Sequence, residues 1–297
     1  MTDIPDRDLM TMIVAADDEA FQEDVDPKGR EIVVIRKVMA KLGNQGFVLA
    51  GDGTPPIVEK ISVMHRSLYR PTDVAMGGIH GGIFMFRDVF ARIHIPLVFG
   101  TVSFDPFKHT DLSPMQLKWL GSRPGDMRAF LDQFTDIMDF AGGIGNLADY
   151  KTPPQGALEV FWLAGFQLQA AAATLSAAFD FRGAVQSALI GTELALKGGL
   201  AAIGMDEKAW KRHGHDFTAA ADSYATAMPG FDIDRARAVL KRMPAYVENR
   251  YSPTQPKRVE TGHIVMGAQY VAGEVMRQVT GYTIRSAYSE AVERVYP

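Results

Sequence analysis

The chain of 297 residues contains no cysteine, and this absence excludes disulfide bonds, thiolate metal sites and cysteine nucleophiles. It also lacks a run of about 20 consecutive apolar residues, the length that crosses a bilayer as a helix. Its first ten residues, MTDIPDRDLM, are acidic and have neither the basic nor the apolar region of a secretion signal. We therefore expect a cytoplasmic protein that has no membrane partner.

Neither half of the chain has the large positive charge that is typical of bulk nucleic-acid binding. Residues 1–150 carry 15 basic and 21 acidic side chains, a net charge of −6, and residues 151–297 carry 16 and 14, a net charge of +2. Any binding of nucleic acid therefore has to depend on a local basic cluster.

A change in composition near residue 150 predicts two domains. The stretch GGIGNLADYKTPPQG, residues 142–156, contains glycines and a double proline, so we place the boundary between residues 1–150 and 151–297. The first domain is predicted to be α-rich with a few short strands. The spacing of apolar residues predicts that the second is a bundle of helices, near residues 157–178, 182–203, 216–227, 233–247 and 262–279. The sequence thus predicts a mainly α protein.

Several elements of the first domain are predicted from local patterns. Residues 1–25 are polar and acidic, and we expect them to be poorly ordered or loosely packed. Ser113 followed by Pro114 is typical of a helix start. The glycine-rich residues 77–82, GGIHGG, are predicted to be a flexible joint, since no strand precedes them and the lysine of a phosphate-binding loop is missing. Residues 95–107 are the best strand candidate, and helices are predicted over residues 27–43, 57–69, 83–93 and 125–141.

Residues 186–204, QSALIGTELALKGGLAAIG, place one acid and one base in a helix that is otherwise small and apolar. Glu193 and Lys197 are four residues apart and share one helix face, where such a pair stabilises a helix by about 0.2–0.5 kcal/mol. We interpret them as a structural pair, exposed or buried, with the shaping of a binding groove as the alternative. His215 and Asp216 follow, and Asp216 is expected in the first turn of the next helix.

The order of these features resembles the HEPN family of all-helical domains, which are associated with nucleotides and RNA. The resemblance covers roughly residues 155–285. It consists of an alanine-rich helix, the turn DFRG, a helix running from Ala184 through Glu193 to Lys197, the step His215-Asp216-Phe217, and ENRYSP before a final helix. The first half of the chain has no such resemblance.

The resemblance implies a HEPN-like helical bundle that forms a homodimer through its helices. We expect the alanine-rich faces of residues 170–178 and 188–202 to allow the close contact that a dimer needs. It also implies a nucleotide- or RNA-associated module of the kind found in bacterial defence or toxin-related systems. A non-catalytic scaffold that only dimerises and presents the first half of the chain to a partner is an alternative.

Arg258 and His263, in RVETGH, are the candidate catalytic residues. Many HEPN domains resemble metal-independent ribonucleases that have an arginine and a histidine at this spacing, where the last helix begins. A histidine moves a proton at neutral pH and an arginine holds a phosphate, so a metal-independent endoribonuclease is a second alternative. However, Val259 and Val265 stand where that motif usually has a polar residue and a tyrosine. We therefore expect a module without robust catalysis.

A basic cluster in the second half mixes cations with aromatic rings, the combination that binds single-stranded RNA or a nucleotide. Glu248 and Glu260 lie among these residues, so an ordinary solvated surface is the alternative interpretation. The predicted nucleotide- or RNA-binding residues are Lys241, Arg242, Arg250, Tyr251 and Lys257.

Asp136 and Asp139 follow a Gly-Ser pair, as the metal-binding acids of nucleotidyltransferases do. Those acids alternate along a strand, whereas a spacing of three residues places Asp136 and Asp139 on one side of a helix. We interpret them as a solvated acidic face. His65, His94 and His109 have no metal-ligand spacing, so the sequence predicts no metal site and no other cofactor.

Overall fold

The computed structural model shows a mainly α protein, which confirms the predicted fold class. It describes residues 4–44, 46–48, 53–74, 78–96, 104–149, 156–177, 181–251, 253–254, 256–285 and 294–297, without the side chains of Thr72, Asp149, Asn249 and Arg250. The helices are α1 (Asp6–Gln22), α2 (Pro27–Lys41), α3 (Pro56–Arg66), α4 (Pro71–Val74), α5 (Pro114–Gly121), α6 (Pro124–Asp149), α7 (Ala157–Ala177), α8 (Arg182–Ala202), α9 (Glu207–Lys211), α10 (Phe217–Ala227), α11 (Ile233–Leu240), α12 (Tyr246–Tyr251) and α13 (Arg258–Thr280). The strands are β1 (His80–Phe86) and β2 (Val89–Ile95), and a 3-10 turn covers Pro106–His109.

The chain divides into two compact units, Met1–Gly77 and Gly78–Pro297. The boundary predicted at residue 150 falls inside the second unit instead. The physical reason is that α6 packs along α13 and shares one apolar core with α7, α8 and the strands. Residues 150–155, which carry the double proline, lie outside the described residues.

The first unit is built from α1, α2 and α3. For residues 4–25, the described part of the stretch predicted to be poorly ordered or loosely packed, the prediction is wrong, because Leu9, Ile13, Ala16 and Ala20 recur at helical spacing and bury one face of α1. The helices predicted near residues 27–43 and 57–69 are confirmed as α2 and α3.

A buried polar network joins the helices of the first unit. His65 is fully buried, and its Nε2 lies 3.0 Å from Asp17 Oδ1. Tyr69 donates its hydroxyl hydrogen to Asp17 Oδ2 at 2.5 Å, and Arg30 donates to the Tyr69 oxygen at 3.0 Å. These bonds link α1 to α2 and α3, so we assign the network a structural role.

Residues 83–93, predicted to be a helix, belong to an antiparallel hairpin in which Ile83 pairs with Arg92 and Phe86 with Val89. Both faces of β1 are covered, so its apolar residues run continuously and lack the alternation that marks a half-buried strand. The glycine-rich residues 80–82, predicted to be a flexible joint, begin β1. Most of the strand predicted over residues 95–107 lies outside the described residues.

The second unit is organised around α7, α8 and α13. Small residues let α7 and α8 approach closely: a Cβ on Gly191 would lie 2.9 Å from Leu168 Cδ2, and one on Gly198 would lie 3.0 Å from the ring of Phe161. The helices predicted near residues 125–141, 157–178, 182–203, 216–227 and 262–279 are confirmed. The one predicted over 233–247 ends at Leu240, and Ser113 caps α5 with a complete capping box.

Helix α7 is, by length and composition, apolar enough to cross a membrane, and 39% of its most apolar window is buried. One such helix is weak evidence for a membrane span, since core helices of soluble proteins have the same composition. Phe161, Ala164 and Leu168 bury its inner face in the core of the second unit, while Trp162 and Phe166 lie on its exposed face.

Candidate functional site

Glu193 and Lys197 form a mostly buried ion pair on α8. Lys197 Nζ donates to Glu193 Oε1 at 2.5 Å, and the two side chains are only 10% and 13% exposed. The ammonium group also lies 5.9 Å from the centre of the Trp210 ring, within reach of a cation–π contact. The pair is therefore a buried structural variant of the predicted helix pair.

His215 belongs to the same cluster, because its Nδ1 lies 2.8 Å from the second oxygen of Glu193. A carboxylate only accepts hydrogen bonds, so this contact places a proton on Nδ1 and leaves Nε2 as the free nitrogen. The His215 side chain is 54% exposed, so the imidazole is oriented by a mostly buried acid and is also open to solvent. Asp216 caps α10 by accepting from the Ala219 amide at 2.9 Å, which confirms the predicted helix start.

Tyr246, the first residue of α12, stacks on His215 with a centroid distance of 4.3 Å and an interplanar angle of 14°. We call Glu193, Lys197, His215 and Tyr246 the imidazole cluster. Its inner half is a buried ion pair and its outer half is a stacked pair of rings. The helix α12 packs on α8, so this stack joins the buried pair to the chain segment that carries the predicted basic residues.

Along the chain, the predicted binding residues lie on both sides of Tyr246. Lys241 and Arg242 follow α11 and are exposed, Lys257 precedes α13 and is exposed, and Tyr251 at the end of α12 is 75% exposed. The side chain of Arg250 lies outside the described residues. The segment from Lys241 to Lys257 thus carries three exposed cations and an exposed aromatic ring, and we call these four residues the basic segment.

Arg258 and His263, the predicted catalytic residues, have separate partners. Arg258 donates to the backbone oxygen of Asp88 at 2.5 Å, and its guanidinium group lies over the rings of Phe90 and Phe181 at 4.5 and 5.4 Å. Five residues along an α-helix turn the chain by about 500°, so the two side chains leave α13 in different directions. Arg258 fastens α13 to the hairpin.

His263 is half-buried beside the last residues of the chain. Its ring lies parallel to that of Tyr296, with centroids 6.0 Å apart, and its Nδ1 is 3.4 Å from the Tyr296 hydroxyl. Burial lowers the pKa of His263, and the positive charge of Arg242 acts in the same direction. Gly262, the residue before it, lets α13 pack closely on the hairpin, because a Cβ there would lie 2.3 Å from Met85 Sδ.

Asp136 and Asp139 are fully buried, so the prediction of a solvated acidic face is wrong. With Asp132 they form a row on the inner face of α6, and we call these three residues the aspartate groove. Arg277 on α13 donates from Nη1 to Asp136 at 3.0 Å and to Asp139 at 2.9 Å. The carboxylates are buried because α13 brings a cation to them.

Burial disfavours the charged form of Arg277, but the charges of Asp136, Glu274 and Asp139 outweigh that penalty and raise its pKa. A Cβ on Gly273 would lie 2.6 Å from the backbone oxygen of Asp136, so this glycine allows the close approach of α6 and α13 at the groove.

The end of the chain supplies two more cations to the aspartate groove. Arg285 pairs with Asp132, and Arg294 forms a two-pronged contact with Asp136, in which Nη1 is 2.8 Å from Oδ1. Backbone amides complete the set: Ile284 donates to Asp139 at 2.6 Å, and those of Val295 and Tyr296 donate to Asp132 at 2.8 and 3.0 Å.

Within the described ranges, no three His, Asp or Glu side chains are placed so that they could hold a metal ion. In the aspartate groove the charges are neutralised by guanidinium groups instead. Those groups also satisfy the carboxylate oxygens by hydrogen bonds, as buried charges require.

Sequence reasoning missed the outer half of the imidazole cluster and the whole aspartate groove. A usable signal existed for the groove, since Asp132, Asp136 and Asp139 recur at intervals of four and three residues beside the buried Phe130 and Phe134. No local signal pairs His215 with Glu193, because 22 residues separate them.

No family model, curated protein or solved structure matches this chain in the comparisons made.

Proposed function

We propose that the second unit is a HEPN-like module that binds a nucleotide or single-stranded RNA without robust catalysis. The resemblance of residues 155–285 to HEPN domains supports this proposal at the level of the family. The observation that carries it is the outer half of the imidazole cluster, in which a buried carboxylate orients an exposed imidazole that stacks on Tyr246.

This arrangement suits a phosphate-bearing ligand with a flat base. The exposed cations of the basic segment attract phosphates without regard to sequence, and exposed rings offer faces on which bases stack. The imidazole adds a donor or acceptor at Nε2 whose direction is fixed by Glu193. A purely solvated surface has no need of a buried acid under its histidine.

The partners of Arg258 and His263 argue against the endoribonuclease alternative. A ribonuclease pair has to present its proton-transfer group and its phosphate clamp to one bond of the substrate. Arg258 is engaged with Asp88 and two phenylalanine rings, and His263 is stacked on Tyr296. Neither side chain is directed to the other.

The proposal includes a homodimer formed through the outer face of α7. Of the two alanine-rich faces that the sequence suggested for the dimer, that of residues 188–202 is buried against α7 and α13 within one chain, and Ala171 and Ala172 of the other are buried in the same core. On α7, by contrast, Trp162, Leu163 and Phe166 are each about half exposed. Large apolar side chains grouped on one helix face are typical of a contact with another protein. A cytoplasmic role in bacterial defence or a toxin-related system rests on the family resemblance alone.

The test is equilibrium binding of a fluorescently labelled single-stranded oligoribonucleotide, followed by anisotropy at several salt concentrations. The triple variant Lys241→Ala, Arg242→Ala, Lys257→Ala should bind at least tenfold more weakly, and the salt dependence of log K should become shallower by about 2. The matched control is Lys118→Ala with Arg128→Ala, two exposed cations of the same unit, which should leave binding unchanged.

A parallel incubation of the oligonucleotide in EDTA should show no cleavage. Cleavage by the wild type that is lost in His263→Ala would replace this proposal with the endoribonuclease. No affinity for RNA or nucleotides, together with a dimer that dissociates in Phe166→Asp, would replace it with the scaffold.

A further inference from the structure

A second group of cations precedes His215 in the chain, around a tryptophan on α9. Trp210 is partly buried against the core of the second unit. The exposed cations next to it in sequence are Lys208, Lys211 and Arg212. Across the residues that the structure describes, no carboxylate pairs with the side chains of Lys208 and Arg212, so their charges are available to a phosphate. We call Lys208, Trp210 and Arg212 the tryptophan segment.

A continuous series of contacts through α8 joins Trp210 to Tyr246. The ammonium group of Lys197 lies 5.9 Å from the centre of the Trp210 ring and donates to Glu193 at 2.5 Å. The other oxygen of Glu193 lies 2.8 Å from His215, which stacks on Tyr246. Helices α9 and α12, which carry the two outer rings, both pack on α8. One ion pair thus connects two aromatic rings, and each ring has exposed cations near it in the chain.

We propose that Trp210 forms a second subsite, so that the module binds a single strand of several nucleotides rather than a mononucleotide. One base stacks at the rings of His215 and Tyr246, and another stacks at the indole of Trp210. Lys208 and Arg212 attract the phosphates beside the second base. This inference rests on the proposed function, because it assigns the length and the path of the ligand bound there.

The chemistry of the tryptophan segment fits this role. A flat ring beside cations without an acid partner is the combination that holds single strands of any sequence. The Lys211 ammonium group lies 5.6 Å from the centre of the Trp210 ring, but its pair with Glu207 is solvent-exposed. A base can therefore displace it with little loss, since exposed ion pairs contribute little stability. A mononucleotide has one base and cannot occupy both rings.

The first experiment measures affinity against ligand length. Adenosine monophosphate and oligoadenylates of about three to nine nucleotides compete with the labelled oligoribonucleotide in anisotropy titrations. Wild-type affinity should rise at least tenfold from the mononucleotide to the longest strand. Lys208→Ala with Arg212→Ala should bind the longest strand about tenfold more weakly, make the salt dependence of log K shallower by about 1.4, and leave the affinity for the mononucleotide unchanged. Lys118→Ala with Arg128→Ala is again the control and should alter neither affinity.

The second experiment observes the indole directly. The chain has three tryptophans, so the double variant Trp119→Phe with Trp162→Phe keeps Trp210 as its only indole. Saturation of this variant with the longest oligoadenylate should lower its tryptophan emission, because a base stacks on the ring. Saturation with adenosine monophosphate, which binds at the rings of His215 and Tyr246, should leave the emission unchanged.

Either of two results would overturn the second subsite and leave the proposed function standing. One is an unchanged affinity for the longest strand in Lys208→Ala with Arg212→Ala, and the other is a constant Trp210 emission when that strand is bound. Equal wild-type affinities for the mononucleotide and the strands would likewise show that the site takes one nucleotide. If the wild type binds none of these ligands, the proposed function fails, and the second subsite fails with it.

Discussion

The second unit contains two clusters built on buried carboxylates, the aspartate groove and the imidazole cluster. They differ in whether a partner of the carboxylate is exposed to solvent. In the aspartate groove, three acids meet three arginines and three backbone amides. In the imidazole cluster, one buried acid has two partners, and the second of them, His215, is more than half exposed. The carboxylates of the groove are enclosed by their partners, whereas the imidazole cluster reaches solvent through His215.

The difference separates charged groups that only stabilise the fold from a charged group that also orients an exposed side chain. A buried carboxylate is costly unless it is paired, and the aspartate groove meets that requirement within the chain. For Glu193, the ion pair with Lys197 would by itself meet the same requirement. The additional contact to His215 fixes the direction of an exposed imidazole, which stability does not require. We therefore look for function at the cluster and for stability at the groove.

The largest effect is expected at the groove. Asp136→Ala leaves Arg294 without its carboxylate and removes one of the three acids that pair with Arg277, so the free energy of unfolding should fall by about 3–5 kcal/mol. Urea denaturation monitored by circular dichroism measures this change. Asp126→Ala is the control, because its pair with Arg123 is solvent-exposed and should cost less than about 1 kcal/mol. Equal losses in the two variants would contradict the assignment of the groove as structural.

A second prediction concerns His80, a fully buried histidine whose pKa is shifted by burial. Burial lowers the pKa of His80 to about 4, so the unfolded chain, with an ordinary value near 6.5, binds a proton first as the pH falls. Its contribution to stability is complete above pH 6.5 and decreases toward pH 4. Acidification from pH 7.5 to 5.0 should therefore lower the unfolding free energy by about 2 kcal/mol more in the wild type than in His80→Leu. Equal pH slopes in urea titrations of the two proteins would refute it.

The third prediction tests the open end of the imidazole cluster. Tyr246→Ala removes the ring that stacks on His215, in the stretch of chain between Arg242 and Tyr251, so RNA affinity should fall about tenfold. The thermal midpoint should move little, because Tyr246 is only partly buried. Anisotropy titrations and thermal melts on the same preparations separate the two effects. Val247→Ala, a change at the exposed neighbouring position, is the control and should alter neither.

The smallest effect is expected for a single cation. Lys257→Ala should weaken RNA binding about two- to threefold, and the loss should shrink further as salt is raised. Anisotropy titrations at two salt concentrations measure both quantities. A loss that grows with salt would show that Lys257 acts other than by attracting phosphate.

The helices of the second unit were predictable because their apolar spacing, glycines and caps agree with one another. The hairpin was not, since its residues are buried on both faces and an unbroken apolar run fits a buried strand and a buried helix equally well. Helix α1 was not predicted because the many acids of this stretch suggest a solvated segment, although four apolar residues recur in it at helical spacing.

The candidate site was predictable in part. The pair Glu193 and Lys197 stands out as two charges in an apolar helix, and Asp216 stands out as a helix cap. The contact of Glu193 with His215 spans 22 residues of chain and the stack of His215 on Tyr246 spans 31, and no local pattern encodes either. The acids of α6 were misread for the same reason, since their arginine partners lie 138 to 158 residues away.

The most direct test of the account compares the RNA affinity of two histidine variants under identical conditions. If the imidazole cluster is the binding site, His215→Ala should weaken binding of the labelled oligoribonucleotide about tenfold, while His263→Ala changes it less than about twofold. A large loss in His263→Ala with normal binding in His215→Ala would contradict the account and return the site to the start of α13.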